Sequence, residues 1–440
     1  MTSGRAAAVT SGSVARAAVI GTAIEFYDHA LFGLAAAVVF DDRFFPADTP
    51  LAGTLGSFAA FAVGFLARPV GGVVFGHFGD RAGRKPALVV TLLLMGLATA
   101  GIGLLPTYDQ VGLAAPILLV LLRLAQGFGA GAEYAGALVL VAETSDPRRR
   151  GLWASLPGAG VQIGILTATL VFTAAAALPS FETWGWRVPF LLSLVGVGVG
   201  LFLRGRVPES EIFERERARG LSRFPALEVA SRQPRSLLIA VAVNAPFGAI
   251  GYIVNVFVLS YVTRTLGLPA TVGLIGNVLS SAVAIAVTPL FGLLADRVGR
   301  RPVFLGAALA LSLFAFPMFW LVDTGHPALV ILAVTLGYGV CVAGMFAVLA
   351  ALLTELFGTR YRYSGIAIAR EWTAALTSGP APLVAAALVA GAGGASWPVA
   401  LLLVVCGAIA FLAVLLAPET RARDLDGRLS QEPVGSGAVI

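Results

Sequence analysis

The residues able to do chemistry stand out because almost everything around them cannot. Glu25, Asp28 and His29, then Arg68, then Arg123, Gln126 and Glu133, and finally the adjacent Arg370 and Glu371 each interrupt a long apolar run. A charge at the centre of a bilayer costs about 2.5 to 3.5 kcal/mol on insertion scales, so it needs a partner or a wet cavity. Glu25, Asp28 and His29 are spaced i, i+3 and i+4, which places them on one helix face. Counted from the ends of their runs, Glu25, Asp28, Arg68 and Arg123 lie near one depth. Two carboxylates and two guanidiniums there make a neutralised cluster, and protonating one acid would rearrange it. That is what coupling a movement to protons requires. A permanent structural ion-pair network would use the same residues without titration, and both readings stand at this point. Glu133 lies further along its span and is a candidate gate partner, while His29 reads as a hydrogen-bonded bystander. Arg68 sits in Arg68-Pro-Val-Gly-Gly, which could equally shape its helix.

Arg370 and Glu371, being neighbours, point about 100 degrees apart and cannot both face one partner well. They are candidates for a charged group of a solute, or for a local structural pair. Asn244, Tyr252, Asn255 and Gln126 could hydrogen-bond a solute, although polar residues also join helices to one another.

The elements that must hold these groups are apolar helices. Apolar residues make up 58% of the 440-residue chain and charged ones 12%, with mean hydropathy +0.89. A soluble chain of this length needs far more polar surface. A helix rising about 1.5 Å per residue crosses the hydrocarbon in about 20 apolar residues. Twelve such spans are predicted: 14–40, 53–79, 86–106, 111–142, 151–178, 187–205, 236–263, 271–295, 302–322, 327–356, 362–390 and 397–417. The expected fold is an all-α membrane protein of twelve transmembrane helices in two pseudo-symmetric six-helix bundles. The expected divisions are a first bundle over 1–205, a charged cytoplasmic linker over 206–235, a second bundle over 236–417 and a short cytoplasmic tail over 418–440.

The formal charge of +6 does not point to nucleic acid, because the arginines are spread over short loops. Placed on one side of the membrane, those loops and the termini hold 24 of the 30 basic residues. The positive-inside rule makes that side cytoplasmic, with both termini on it. Arg43, Arg187 and Arg264 fall outside, and Arg68, Arg123 and Arg370 lie within spans. Cys341 and Cys406 sit in apolar runs and imply neither disulfide nor metal site. No cleavable leader is evident, since the first apolar run holds Glu25 and Asp28 and continues to Phe40. With three histidines, no nucleotide loop and no metal-ligand or nucleophile constellation, an enzyme is not expected.

The two halves repeat one another. Gly76-His-Phe-Gly-Asp80-Arg81-Ala-Gly83-Arg84-Lys85-Pro86 recurs 216 residues later as Gly292-Leu-Leu-Ala-Asp296-Arg297-Val-Gly299-Arg300-Arg301-Pro302. Glu143 with Arg150 recurs 212 residues later as Glu355 with Arg362. In each loop the first glycine permits close helix approach and the second a tight turn. Asp80 and Asp296 stand at helix ends, able to pair with an arginine or cap a neighbouring helix. Glu143–Arg150 and Glu355–Arg362 read as cytoplasmic gate salt bridges that must break on opening inward. Tandem halves of this kind place a solute site at their interface near the midplane.

This pair of loops resembles the signature of the major facilitator superfamily, over nearly the whole chain. Arg123-Leu-Ala-Gln126-Gly127-Phe-Gly129-Ala-Gly131 agrees with it. Gly21-Thr-Ala-Ile-Glu25-Phe-Tyr27-Asp28, Phe44-Phe45-Pro46, Gly64-Phe-Leu-Ala-Arg68-Pro69-Val-Gly71-Gly72, Gly131-Ala-Glu133-Tyr-Ala-Gly136-Ala137 and Gly185-Trp186-Arg187-Val-Pro189-Phe190-Leu191 together resemble the metabolite:proton symporters. That branch contains carriers for shikimate, 2-oxoglutarate, citrate, proline and betaine. The resemblance implies proton-coupled uptake of a small organic acid or zwitterion by alternating access, powered by the proton gradient with no cofactor. It also implies an inner or plasma membrane location and a monomer acting on a small solute and protons within the lipid bilayer. Where Arg370-Glu371 stands the family more often has Gly-Tyr-Gln, so the pair is a departure. A proton-driven exporter and a membrane sensor on a transporter scaffold are the alternatives. The segment Glu419–Ile440 shows no heptads, which disfavours an osmosensor with a coiled-coil tail.

Overall fold

A computed structural model of the chain describes residues 11–47, 49–82, 84–131, 133–206 and 225–421. Twelve helical segments make up its two halves. The first half holds α1 (Ser11–Val38), α2 (Pro50–Ala82), α3 (Arg84–Leu104), α4 (Ala114–Ala130, resuming as Glu133–Thr144), α5 (Arg150–Ala176) and α6 (Gly185–Phe202). The second holds α7 (Pro234–Thr265), α8 (Ala270–Val298), α9 (Arg300–Asp323), α10 (Pro327–Leu356), α11 (Tyr361–Gly391) and α12 (Trp397–Leu416). Ten of these are long and apolar enough to cross a membrane by composition alone. The other two are α1, which is long enough but carries Arg16, Glu25 and Asp28, and the broken α4. Their outward faces are apolar: Val73 is 74% exposed, Leu104 72%, Leu313 70% and Leu416 70%. Water would not tolerate that surface, whereas lipid covers it and every helix satisfies its own backbone.

Span four departs from the expected 111–142. A short helix, Tyr108–Val111, precedes it, and Gly112 at φ 58° turns the chain before α4 begins at Ala114. The helix then stops at Gly131, at the end of a glycine-rich run that forfeits helix propensity. Within the linker, residues 207–224 lie outside the described residues, and Pro225–Arg232 form a helix that buries Val229. The Tyr361 hydroxyl donates to Glu228 Oε1 at 3.3 Å and ties that helix to α11.

Each half packs by the same scheme. Helix α1 lies on α5 as α7 lies on α11; α2 lies on α4 as α8 on α10; α3 lies on α6 as α9 on α12. The halves meet through α5 with α8 and through the equivalent α2 with α11, helped by α1 with α7 and α4 with α10. At the α5–α8 crossing a Cβ on Gly292 would stand 2.8 Å from the Gly151 carbonyl oxygen, and a Cβ on Gly151 would stand 2.7 Å from that of Gly292. The first glycine of the repeated loop thus admits a helix of the other half. Its second glycine, Gly299, turns the chain at φ 111° between α8 and α9. Among the described residues, four π-helical stretches, Ile253–Phe257, Tyr261–Thr265, Gly337–Val342 and Ala374–Ser378, interrupt α7, α10 and α11, and such stretches are frequent at functional sites.

Candidate transport site

Midway along α2, Arg68 joins the halves. It is 2% exposed and donates through Nε to Glu371 Oε2 at 2.7 Å and through Nη2 to Glu371 Oε1 at 3.4 Å. Nη1 reaches His29 Nε2 at 3.0 Å, and Nη2 lies 3.7 Å from Glu25 Oε1. A guanidinium can only donate, so His29 Nε2 accepts and its ring is neutral with the proton on Nδ1. His29 is therefore a partner of Arg68 and not a bystander. Arg68 does more than shape its helix: its five donors collect an acid and an imidazole from α1 and an acid from α11.

Arg123 forms the second centre. Its guanidinium stands over the rings of Phe32, Phe61 and Phe65, at 4.1, 5.1 and 5.6 Å. It donates to Gln126 Oε1, and Gln126 in turn donates to Thr99 Oγ1 at 2.8 Å and to the Asp28 carbonyl oxygen at 3.4 Å. Gln126 therefore orients Arg123 and anchors α4 to α1 and α3. Asp28, 3% exposed, has Thr99, Arg123 and Glu25 as its polar and charged neighbours. Tyr252 of α7 packs edge-on against Phe61 and Phe65 at 5.4 and 5.3 Å and faces Arg68, Arg123, Arg370 and Glu25.

Glu25, Asp28, Arg68, Arg123, Gln126, Tyr252, Arg370 and Glu371 are thus brought to one place between the halves. Arg370 and Glu371 diverge as neighbours on a helix must: Glu371 meets Arg68, and Arg370 lies 5.9 Å over Phe26. Asn244 and Asn255 are engaged within the second half. Asn244 Nδ2 donates to Thr373 Oγ1, and the Asn255 carbonyl accepts from Asn277 Nδ2 at 2.9 Å. The Glu133 side chain lies outside the described residues. Gln162 was not anticipated. It is 1% exposed on α5 and meets the Tyr338 hydroxyl of α10 across the halves at 3.5 Å. A lone glutamine in an otherwise apolar span was its only signal.

At the end that carries the repeated loops, Asp296 caps α5 of the other half. Its Oδ1 accepts from the Gly151 N–H at 2.8 Å and its Oδ2 from Leu152 N–H at 2.9 Å, while Arg300 Nη1 holds Oδ1 at 2.9 Å. Arg300 also forks onto Glu355 at 3.2 and 3.0 Å. The expected gate pairs exchange partners. Glu355 takes Arg150 of the first half at 3.5 Å, and Arg362 takes Glu143 of the first half at 2.6 Å. Pairing within a half, as the spacing suggested, would leave the halves free of each other; pairing between them closes the seam. Glu419 accepts from the N–H groups of Arg300 and Arg301 and caps α9. Burial pushes its carboxyl up, but those donations outweigh it and hold the group below its ordinary value. Arg297 is exposed. In the first loop, Gly83, the surroundings of Gly76 and the side chains of Asp80, Arg81 and Arg84 lie outside the described residues.

The opposite end has a clamp that spacing did not reveal. Arg264 Nη2, at the end of α7, reaches Asp41 Oδ1 at 2.6 Å, Asp42 Oδ2 at 2.9 Å and the Val38 carbonyl at 2.9 Å. The signal was there to find: Arg264 is among the few basic residues off the basic side. Ion pairs between the halves therefore stand at both ends and in the middle.

The model of the Major Facilitator Superfamily matches residues 18–366 and again 247–435. The chain belongs to the major facilitator superfamily. It is 38% identical over 413 residues to the shikimate transporter of Escherichia coli strain K12, covering 91% of this chain and 93% of that one. It is also 38% identical over 420 residues to the inner membrane metabolite transport protein YhjE of the same organism, covering 93% and 94%. Among solved structures the fold matches a D-xylose-proton symporter with TM-score 0.70 at 21% identity, over 93% of this chain and 98% of that one. This member of the superfamily is a multi-pass membrane protein and a secondary transporter of a small molecule, not an enzyme.

Proposed function

We propose that the protein takes up a small organic acid or zwitterion together with protons by alternating access, with Glu25 or Asp28 carrying the proton. The observation behind this reading is the buried cluster in which acids and arginines of both halves share one place, Asp28 beside Arg123 and Glu25 beside Arg68. Protonating either acid withdraws a counter-charge from a buried arginine, so the proton load and the grip between the halves are linked. The arginine-rich loops favour a cytoplasmic placement for the loop-bearing end and both termini, in an inner membrane. On this orientation the exchanged pairs at Glu355 and Glu143 are the cytoplasmic gate, and the Arg264 clamp is the outer one. One chain carries both halves of the central cluster and the ion pairs at both ends, so it works as a monomer. No cofactor enters; the proton gradient supplies the energy.

The test is uptake of labelled acids and zwitterions into vesicles, with and without an imposed proton gradient. Accumulation should require the gradient and be lost in Asp28→Asn or Glu25→Gln. Accumulation that ignores the gradient and survives both substitutions would sink the proposal. Solute driven out when the outside is acidified would point to antiport instead.

A further inference from the structure

We propose that the Arg68 guanidinium is the carboxylate subsite of the transport path, that Glu371 fills it from the opposite half while the halves are closed, and that the cargo is a monocarboxylate of one net negative charge. This rests on the proton-coupled reading above and narrows its cargo.

The geometry supplies the first part. Nε and Nη2 of Arg68 form one edge of the guanidinium, and Glu371 meets them with both oxygens, at 2.7 and 3.4 Å. That two-pronged arrangement is the one an arginine offers any carboxylate, including a solute's. Glu371 arrives on α11, so its pair with Arg68 spans the seam that must part for a solute to enter. The seam is tightly closed beside the pair: a Cβ on Gly379 of α11 would stand 2.8 Å from the Phe65 Cβ of α2. Parting α2 from α11 strips Arg68 of Glu371, and a buried arginine stripped of its carboxylate is strongly disfavoured. A solute carboxylate replaces Glu371 with the same geometry. A neutral solute does not, and its entry leaves the guanidinium short of an acceptor.

The charge balance supplies the second part. Among the described residues, the groups meeting here pair by formal charge, Glu25, Asp28 and Glu371 against Arg68, Arg123 and Arg370, with His29 neutral. The sum is zero. A monocarboxylate adds one negative charge, and one proton taken by the acids cancels it. A zwitterion with a proton leaves the site positive, and a dicarboxylate with a proton leaves it negative. The walls are Phe26, Phe32, Phe61 and Phe65, and in such low-dielectric surroundings an uncancelled charge is costly. Solute and proton therefore cross as a neutral sum, and the cycle moves no net charge.

The experiment measures thermal stabilisation of the full chain, purified in detergent, by lactate, benzoate and shikimate as monocarboxylates, succinate as a dicarboxylate and glycine betaine as a zwitterion. Monocarboxylates should stabilise saturably at millimolar concentration and the other two should not. Glu371→Gln, which removes the internal occupant, should tighten monocarboxylate binding by about tenfold, and Arg68→Lys, which keeps the charge but loses the two-pronged edge, should weaken it by about tenfold. A purely structural ion pair predicts the opposite sign for Glu371→Gln. Stabilisation by betaine or succinate in place of the monocarboxylates, no response to any monocarboxylate, or a Glu371→Gln affinity unchanged or weakened would each overturn the proposal. If Glu371→Gln shows no folded transition, the wild-type selectivity and Arg68→Lys decide by the same criteria. Detergent carries no gradient, so failure of proton coupling in vesicles leaves these results unaffected and the two readings fail separately. In liposomes, uptake at a fixed pH gradient should be indifferent to a potassium–valinomycin potential; dependence on that potential overturns the single-charge cargo.

Discussion

Replacing Asp41 by asparagine should abolish a pH-dependence in the Arg264 clamp whose size follows from burial. Asp41 is 6% exposed, and burial raises its carboxyl from the ordinary 3.8 to about 6, although Arg264 stands 2.6 Å away and pulls the other way. Once the clamp opens, the carboxyl is solvated and returns to its ordinary range. Below about pH 4 the group is protonated in both conformations and contributes no pH-dependence. Between about pH 4 and 6 the open form loses its proton first, so rising pH favours opening. Above about pH 6 both forms are ionised and the effect levels off. About two pH units at 1.36 kcal/mol each give about 3 kcal/mol, or roughly a hundredfold in the open-to-closed ratio. Spin labels at Leu51 and Thr271, exposed positions on the two sides of the clamp, report the ratio by electron–electron distance measurement in nanodiscs. The wild type should show a longer-distance population that grows from about pH 4 to about pH 6 and then levels off, and Asp41→Asn should show none of that growth. An unchanged distribution in the wild type, growth toward acid, or an identical response in Asp41→Asn would refute the burial argument.

Glu355→Gln should loosen the loop-bearing end, since Arg300 and Arg150 both lose a buried carboxylate, at a cost of about 3–5 kcal/mol. Thiol labelling of cysteines placed along α10 and α5 should accelerate there, while the Leu51–Thr271 distance stays short or shortens. Gly151→Ala sets a methyl 2.7 Å from the Gly292 carbonyl oxygen and 2.6 Å from Asp296 Oδ1, and should lower the melting temperature by the equivalent of about 1–3 kcal/mol. A melting temperature unchanged within error would mean that α5 and α8 give way without strain.

Composition made the helical membrane fold legible, because runs free of charge have no other use at that length, and the duplicated loop made the two halves legible. The residues of the central cluster were also legible, since a charge in such a run must be bound by something. Their partners were not. Glu371 follows Arg370 directly and lies 303 residues from Arg68, so nothing local announces that it completes a first-half site. The gate showed the same limit. Glu143 and Arg150 are seven residues apart, which invites pairing along the chain, but each arginine turns to the acid of the other repeat. The sequence pattern reports which groups need a partner; which of several suitable partners is nearest depends on how helices cross. Backbone irregularity was silent as well, because Ile253–Phe257 and Gly337–Val342 have nothing in their composition that separates a π turn from an α turn.

The exchanged gate has the form of a two-fold contact. Shifting Glu143 and Arg150 by the 212-residue repeat turns one bridge, Arg150 with Glu355, into the other, Arg362 with Glu143. In a symmetric dimer a residue i that touches j′ is matched by j touching i′, and these two bridges satisfy that relation within a single chain. One unfused half, meeting a second copy of itself head to head, could make both bridges from one acid and one arginine. Within the one chain the two bridges are not identical, 3.5 Å in one and 2.6 Å in the other. A half expressed alone carries both groups and neither bridge, so it should seek its complement.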